Sequence, residues 1–292
     1  MSELQDHEFG NVSTDLKLSL VEGYLQAFTT ALRNRFDELW YVDAFAGTGE
    51  RTVKTAGVPA GLLPDQAEMV ERRRGSARIA IETEPRFDRL VFMDKKRKHC
   101  LALKDLAAEH PSRRIDIVRA DANAAILEEL RSCQWLGKRA VMFLDPYGMS
   151  LHWSTLVEIQ KTEAIDVWYL VSLAGIFRQA TRAHRSISAD KRAALNRMLG
   201  TGQWESAWYA PRHLEADLFG HIDETIVRTA DVEAMERFVA ARLKSVFPAI
   251  VGPKRLRNAQ NVPMFSLFLA ISNPNSKAIG LATRIGNHIL KA

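Results

Sequence analysis

Only two cysteines, Cys100 and Cys133, occur in the 292 residues. Two cannot supply a disulfide framework or a cysteine-rich zinc site. Both fall in helical patterns, which predicts buried free thiols and a reducing, cytoplasmic setting. No apolar run reaches the length that crosses a bilayer. The first residues, MSELQDHEFGNVSTDLK, are polar and acidic at the outset, unlike a secretory signal. Internal repeats and low-complexity tracts are absent. The glycine signature near the N-terminus is also incomplete. The stretch YVDAFAGTGE (41–50) places Gly47 and Gly49 after an apolar strand, but Thr52 stands where G-x-G-x-x-G has its third glycine. That departure disfavours an NAD pyrophosphate site, and the lack of a following Lys-Ser/Thr pair disfavours an ATP P-loop.

What is present is the composition of an ordinary globular protein, 47% hydrophobic and 26% charged. The length allows one large domain or two small ones. A formal charge of +5 and a pI near 9.2 permit an anionic partner without requiring one. Basic residues cluster at 71–78 (ERRRGSAR), 95–99 (KKRKH), 178–185 (RQATRAHR) and 254–257 (KRLR). Each cluster reads as a solvated helix end or loop, or as part of a phosphate-binding face, and sequence alone shows no convergence.

Leu16, Leu20, Val21, Tyr24, Leu25 and Phe28 recur at helical spacing and predict a helix over 14–36, with Ser13 or Thr14 as its cap. A strand, LWYVDAFAG, follows, and then a long loop over 50–75 punctuated by Gly57, Pro59, Gly61, Pro64 and Gly75. Strands at 89–95, 114–121, 139–148 and 164–172 then alternate with helices at 96–109, 122–135 and 153–161. Such alternation predicts a parallel sheet covered by helices on both faces. The segment 173–247 reads as mainly helical, with Gly200 as a helix C-cap. Strands at 249–257 and 262–272 form a predicted antiparallel edge hairpin, and a helix over 275–291 closes the chain. The predicted division is a core at 1–172, a helical insertion at 173–247, and a C-terminal hairpin and helix at 248–292 that complete the core.

In an open parallel sheet, ligands bind beyond the carboxyl ends of the strands. Four successive strands here end in acids: Asp43, Asp94, Asp121 and Asp145. Gly47 and Gly49 let a backbone approach a ligand closely and adopt positive φ. Asp43 can hold a cationic group or brace the glycine loop. Asp94 stands where a carboxylate accepts from ribose hydroxyls. Asp121 can accept from an adenine amine, or cap the helix that begins ANAAILEEL. FLDPYG (143–148) offers Asp145 as an acceptor, Pro146 to stiffen the turn and Tyr147 as a stacking ring, or else forms a type I turn with proline second.

The ordered series YVDAFAGTGE, RRRGSARIAIE, LVFMDKKRKHCLAL, IVRADAN, MFLDPYGMS and VWYLVSLAGIFRQ resembles the three-Cys-motif partner protein (TcmP) family across residues 14–180. MFSLFLAISNPNSKAIGLA resembles the family's last strand and helix, and 181–247 matches only in helical character. The resemblance implies an α/β, Rossmann-like class I methyltransferase fold with a mostly parallel seven-stranded sheet. It implies S-adenosylmethionine as cofactor, with Asp43, Gly47 and Gly49 at the methionine end, Asp94 at the ribose and Asp121 at the adenine. Phe45, Ala46, Lys95, Ala122 and Asp145 complete the implied cofactor contacts, and no metal is implied. It further implies a three-Cys, radical-SAM-like partner. A more distant likeness is to rRNA adenine-N6 methyltransferases, through the glycine-loop pattern, the Gly75–Ser76 pair and Asp145-Pro146-Tyr147; the second proline of their Asp-Pro-Pro-Tyr motif is absent here. The expected function is methyl transfer to an acceptor such as a nucleic acid, with Asp145, Pro146 and Tyr147 at the acceptor. His152 and His184 are alternative bases or ordinary surface histidines. The competing expectation is an accessory module of the same fold that works only with its partner.

Overall fold

The computed structural model describes residues 2–54, 70–213 and 224–291. Helix α1 (Ser2–Leu32) leads into strand β1 (Glu38–Asp43), followed by strands β2 (Glu50–Lys54) and β3 (Val70–Arg74). Then come α2 (Ser76–Glu82), β4 (Arg89–Met93), α3 (Arg97–Ala108), β5 (Ile115–Val118), α4 (Ala122–Ser132) and β6 (Lys138–Leu144). The chain continues through α5 (Trp153–Lys161), β7 (Ile165–Ser172), α6 (Leu173–Gln179), α7 (Ala189–Leu199) and α8 (Trp204–Trp208). It ends with β8 (Tyr209–His213), β9 (Glu224–Arg228), α9 (Val232–Lys244), β10 (Ala249–Arg257), β11 (Pro263–Ile271) and α10 (Ser276–Lys291).

Seven strands form one sheet in the order β10-β11-β7-β6-β1-β4-β5. β1 runs parallel to β4 and β6, and β4 parallel to β5, while β11 lies antiparallel to both β7 and β10. This is the Rossmann-like class I methyltransferase fold expected from the resemblance, a mostly parallel sheet carrying an antiparallel C-terminal hairpin. The edge strand β10 carries Pro253 inside a register shift between Val251 and Lys254. An edge is where a sheet tolerates a residue that cannot donate to the ladder.

By internal contacts the chain forms two compact units, one of Met1–Ala125 with Trp135–Phe143, the other of Ile126–Gln134 with Leu144–Lys291. In the first, β1 is buried along almost its whole length, because helices cover both faces of a parallel strand. Val21, Tyr24, Leu25 and Phe28 of α1 are buried. Phe28 stacks on Phe87 at 6.3 Å, and Phe87 meets Tyr41 of β1 at 5.8 Å. In the second, Ser188 caps α7, and Gly200 ends it at φ +67°, as its position in the sequence predicts. A side chain at Gly200 would strike the Trp153 ring. Buried Glu236 of α9 accepts from Ser266 of β11 and from Arg255 of β10.

The structure departs from the expectations at several points. α1 begins at Ser2, so Ser13 and Thr14 lie inside the helix instead of capping it. The expected 50–75 loop opens and closes as the antiparallel ribbon β2–β3, and the mainly helical 173–247 segment contains a second ribbon, β8–β9. The loop residues Gly57, Pro59, Gly61 and Pro64 lie outside the described residues, as does 214–223. Cys100 is buried, but Cys133 falls just past α4 and is partly exposed.

Candidate cofactor-binding loop

β1 ends at Asp43, and the segment 44–49 turns across the carboxyl end of its neighbours. The Ala44 amide donates to the Phe143 carbonyl at 3.3 Å, and the Ala46 amide to the Met93 carbonyl at 3.0 Å. The loop is thus pinned to β6 on one side and β4 on the other. Gly47 (φ +61°) and Gly49 (φ +75°) take the left-handed conformation that glycine adopts without penalty. The two glycines differ in their surroundings. A Cβ on Gly49 would lie 2.7 Å from Leu106 of α3, whereas one on Gly47 would meet nothing within 4 Å among the described residues. Gly49 is therefore packed, and Gly47 faces open space.

Asp43 is fully buried. Its Oδ1 accepts from the Phe45 amide at 3.1 Å, and its Oδ2 accepts from the Ser76 hydroxyl at 2.5 Å and from the Tyr41 hydroxyl at 3.4 Å. Of the two duties open to it from sequence, bracing the loop is the one these bonds perform. Gly75, just before α2, donates its amide to the Gly49 carbonyl at 3.0 Å. A side chain at Gly75 would come within 2.6 Å of that carbonyl oxygen. The Gly75–Ser76 pair thus clamps the glycine loop from the far side of the β2–β3 ribbon.

Asp94 follows β4 directly and is 5% exposed. Its Oδ2 accepts from the Gly47 amide at 3.2 Å and contacts His99 Nδ1 at 2.9 Å, while Oδ1 accepts from the Lys96 amide at 2.7 Å. A carboxylate offers about four acceptor positions, so roughly one remains at Asp94 for a further donor. Behind it, the Cys100 thiol donates to the Asp94 carbonyl at 3.3 Å. Burial, and then the charge of Asp94, push that thiol's pKa up. A raised pKa makes it a packing group, not a nucleophile.

The structure thus brings Asp43, Phe45, Ala46, Gly47, Gly49 and Asp94 into one hydrogen-bonded loop system. Lys95 is exposed beside it. Asp121 stands apart from this system. It is exposed, its side chain accepts from the Asn123 amide at 3.0 Å, and its carbonyl accepts from the Ala125 amide. Those are capping bonds at the start of α4, and Ala122 beside it is buried. Sequence reasoning met His99 only as the end of the basic run KKRKH and missed its contact with Asp94. Ser76 was noted only as half of a dipeptide, and its bond to an acid 33 positions away carries no local signature.

Asp145 follows the last residue of β6. Pro146 is buried and Tyr147 is 58% exposed. The hydrogen-bonded turn runs from the Tyr147 carbonyl to the Ser150 amide at 3.3 Å, two residues later than the Asp145-to-Gly148 turn considered from sequence. Gly148 is left-handed at φ +61°. Of the two candidate histidines, His184 contacts Glu205 at 2.7 Å, and that carboxylate also accepts from Arg192 at 2.9 Å. Burial opposes ionisation of Glu205, but the bonds from Arg192 and His184 outweigh it and hold the carboxyl below its usual range. His152 is the N-cap residue of α5.

Searches against family models and against curated proteins gave no match. Among solved structures, the chain is similar to protein LPL1258 from Legionella pneumophila, of family DUF519, at 14% identity and TM-score 0.37, covering 78% of this chain and 92% of that one. It is also similar to the plantazolicin methyltransferase BpumL in complex with SAH, at 8% identity and TM-score 0.31, covering 92% and 91%. A conserved hypothetical protein from Streptococcus pyogenes matches at 13% identity and TM-score 0.30, covering 69% and 94%. All three scores are low, and the fold assignment rests on strand order and direction.

Proposed function

We propose that the chain is an S-adenosylmethionine-dependent methyltransferase of the TcmP type. The observation that carries the reading is the pairing of left-handed Gly47 with buried Asp94. The glycine amide is fixed on the carboxylate, and among the described residues the space above the glycine is open. A cofactor with a ribose fits this cradle, because Asp94 retains an acceptor position for a hydroxyl and no Cβ intrudes at Gly47. When bound, S-adenosylmethionine supplies an electrophilic methyl group. The protein's part is to hold the ribose at Asp94, with His99 and the Lys96 amide fixing that carboxylate's orientation. Asp43 holds the loop at the methionine end through the Phe45 amide and the Ser76 hydroxyl. Asp145 accepts from the acceptor's amino group and Tyr147 stacks on its ring. Alignment of acceptor and methyl then accounts for most of the rate.

One observation favours the second reading, an accessory module acting with a three-Cys partner. Three of Asp94's acceptor positions already hold protein donors. Calorimetry with S-adenosylmethionine separates the two. Binding by the wild type, weakened at least about tenfold in Asp94→Ala, as expected for a lost charge-assisted bond, supports the enzyme. No binding by the wild type removes the cofactor reading and leaves the accessory one.

A further inference from the structure

The four basic clusters are used differently by the fold. In 71–78, Arg74 pairs with Glu22 at 3.0 Å and Glu82 at 3.2 Å, and Arg78 with Glu50 at 2.5 Å and Glu109 at 2.8 Å. In 254–257, Arg255 pairs with Glu233 and Glu236, both at 2.6 Å, and Lys254 donates to the Leu290 carbonyl. These cations are neutralised or engaged inside the fold. Arg178, Arg182 and Arg185 are exposed, but lie on a single stretch of chain.

The run at 95–98 is different. Lys95, Lys96, Arg97 and Lys98 are all exposed, and among the described residues Lys95, Arg97 and Lys98 make no ion pair and no side-chain hydrogen bond. A second segment adds to them. Met93 and Val118, the last residues of β4 and β5, are in register, and the Asp94 amide donates to the Val118 carbonyl at 3.1 Å. Lys95 and Arg119 therefore leave the same edge of two adjacent strands. Arg119 is exposed and likewise unpaired among the described residues. Exposed Lys104 lies two turns further along α3 from Arg97. Buried Asp94 is turned to Gly47 and His99, exposed Asp121, two residues beyond Arg119, accepts from the Asn123 amide, and the first turn of α3 carries no acid. Cations at that end of a helix oppose its dipole, so the run does not stabilise its own helix.

We propose that Lys95, Arg97, Lys98 and Arg119 form a surface that grips the phosphodiester backbone of a nucleic acid. Closely spaced, unneutralised cations displace the counterions condensed on such a backbone, and that release drives binding. Guanidinium groups add paired donors suited to phosphate oxygens. A bilayer fits less well, because the apolar stripe of α3, formed by Cys100, Leu103 and Leu106, is already buried and only Leu101 projects. The surface stands on its charge and does not depend on methyl transfer.

The test is fluorescence anisotropy with labelled single-stranded RNA, single-stranded DNA and duplex DNA of equal length, across a salt series. The wild type is expected to bind at least one of them, with log affinity falling linearly in log salt. The triple variant Arg97→Glu/Lys98→Glu/Arg119→Glu should show a slope shallower by about 2, from ~0.7–0.9 per lost phosphate contact, and affinity at least about tenfold weaker near 0.1 M salt. The charge-neutral variant Arg97→Gln/Lys98→Gln/Arg119→Gln should show the same direction and guards against misfolding of the first. The three probes identify which backbone is taken. Failure of the wild type to bind any of them overturns the proposal, as does an unchanged slope in both variants or binding to anionic vesicles alone. A cofactor titration on the same samples reads independently, so loss of this surface and loss of the methyltransferase reading are distinct results.

Discussion

Gly47→Ala isolates the space above the glycine loop. At φ +61° an alanine is held in the left-handed region, which costs about 1–2 kcal/mol. Part of that is offset, by about 0.4–1 kcal/mol, because alanine restricts the unfolded chain. No steric cost is added, since a Cβ there meets nothing within 4 Å. The Gly47 amide keeps its bond to Asp94. The expected loss of stability is therefore only about 1 kcal/mol, a drop of roughly 2–4 °C in melting temperature for a domain of this size. Cofactor affinity should respond far more strongly. If S-adenosylmethionine fills the open space, the methyl overpacks it, at about 1–3 kcal/mol, or roughly five- to 150-fold in affinity. The matched control is Gly148→Ala, which has the same φ of +61° and equally open surroundings outside the glycine loop. Calorimetric titration of both variants, with thermal melts alongside, decides the matter. Wild-type affinity in Gly47→Ala would refute the assignment of that space to the cofactor. Equal losses in both variants would show that backbone strain alone explains the effect.

Two further outcomes follow from the geometry. Gly75→Ala should destabilise by about 1–3 kcal/mol, because its Cβ would come within 2.6 Å of the Gly49 carbonyl oxygen, and backbone cannot swing aside; chemical denaturation measures it, and an unchanged midpoint would refute the clamp. Glu205→Gln should destabilise only above the acid range. The folded carboxyl titrates below its ordinary 4.5, so its contribution is fully present above that value and is lost as pH falls through the folded pKa. Thermal melts of wild type and variant should differ near neutrality and converge in strong acid; a gap that widens on acidification would contradict the pairing with Arg192 and His184.

Strands β1, β4, β6, β7 and β11 were legible because their burial writes apolar runs into the chain, while β10, a partly exposed edge strand, was legible from its place before β11. β10 spans 249–257 as predicted, and β11 spans 263–271 against a predicted 262–272. The two ribbons were not legible. ERTVK and VERRR carry no alternating apolar face, and β8 contains Pro211; only ETIVR of β9, with three β-branched residues in a row, carries a strand signal, and it is short. Their strands are held by pairing with each other, which periodicity cannot report.

The same limit governs the charges, and it bears most directly on function. Strand-end acids could be found one by one, because the end of a strand is a local event. Whether a cation is neutralised is not local. Arg74 finds Glu22 at a distance of 52 residues and Arg78 finds Glu109 at 31, so these two arginines of ERRRGSAR are spent on holding the fold. KKRKH looks equally basic in sequence, yet among the described residues no acid pairs with Lys95, Arg97 or Lys98, and a fourth cation, Arg119, arrives from the next strand. A basic run therefore becomes evidence for an anionic partner only after the acids brought by other elements have been counted. By that test Lys95, Arg97, Lys98 and Arg119 retain their charge among the described residues, and Arg74 and Arg78 do not.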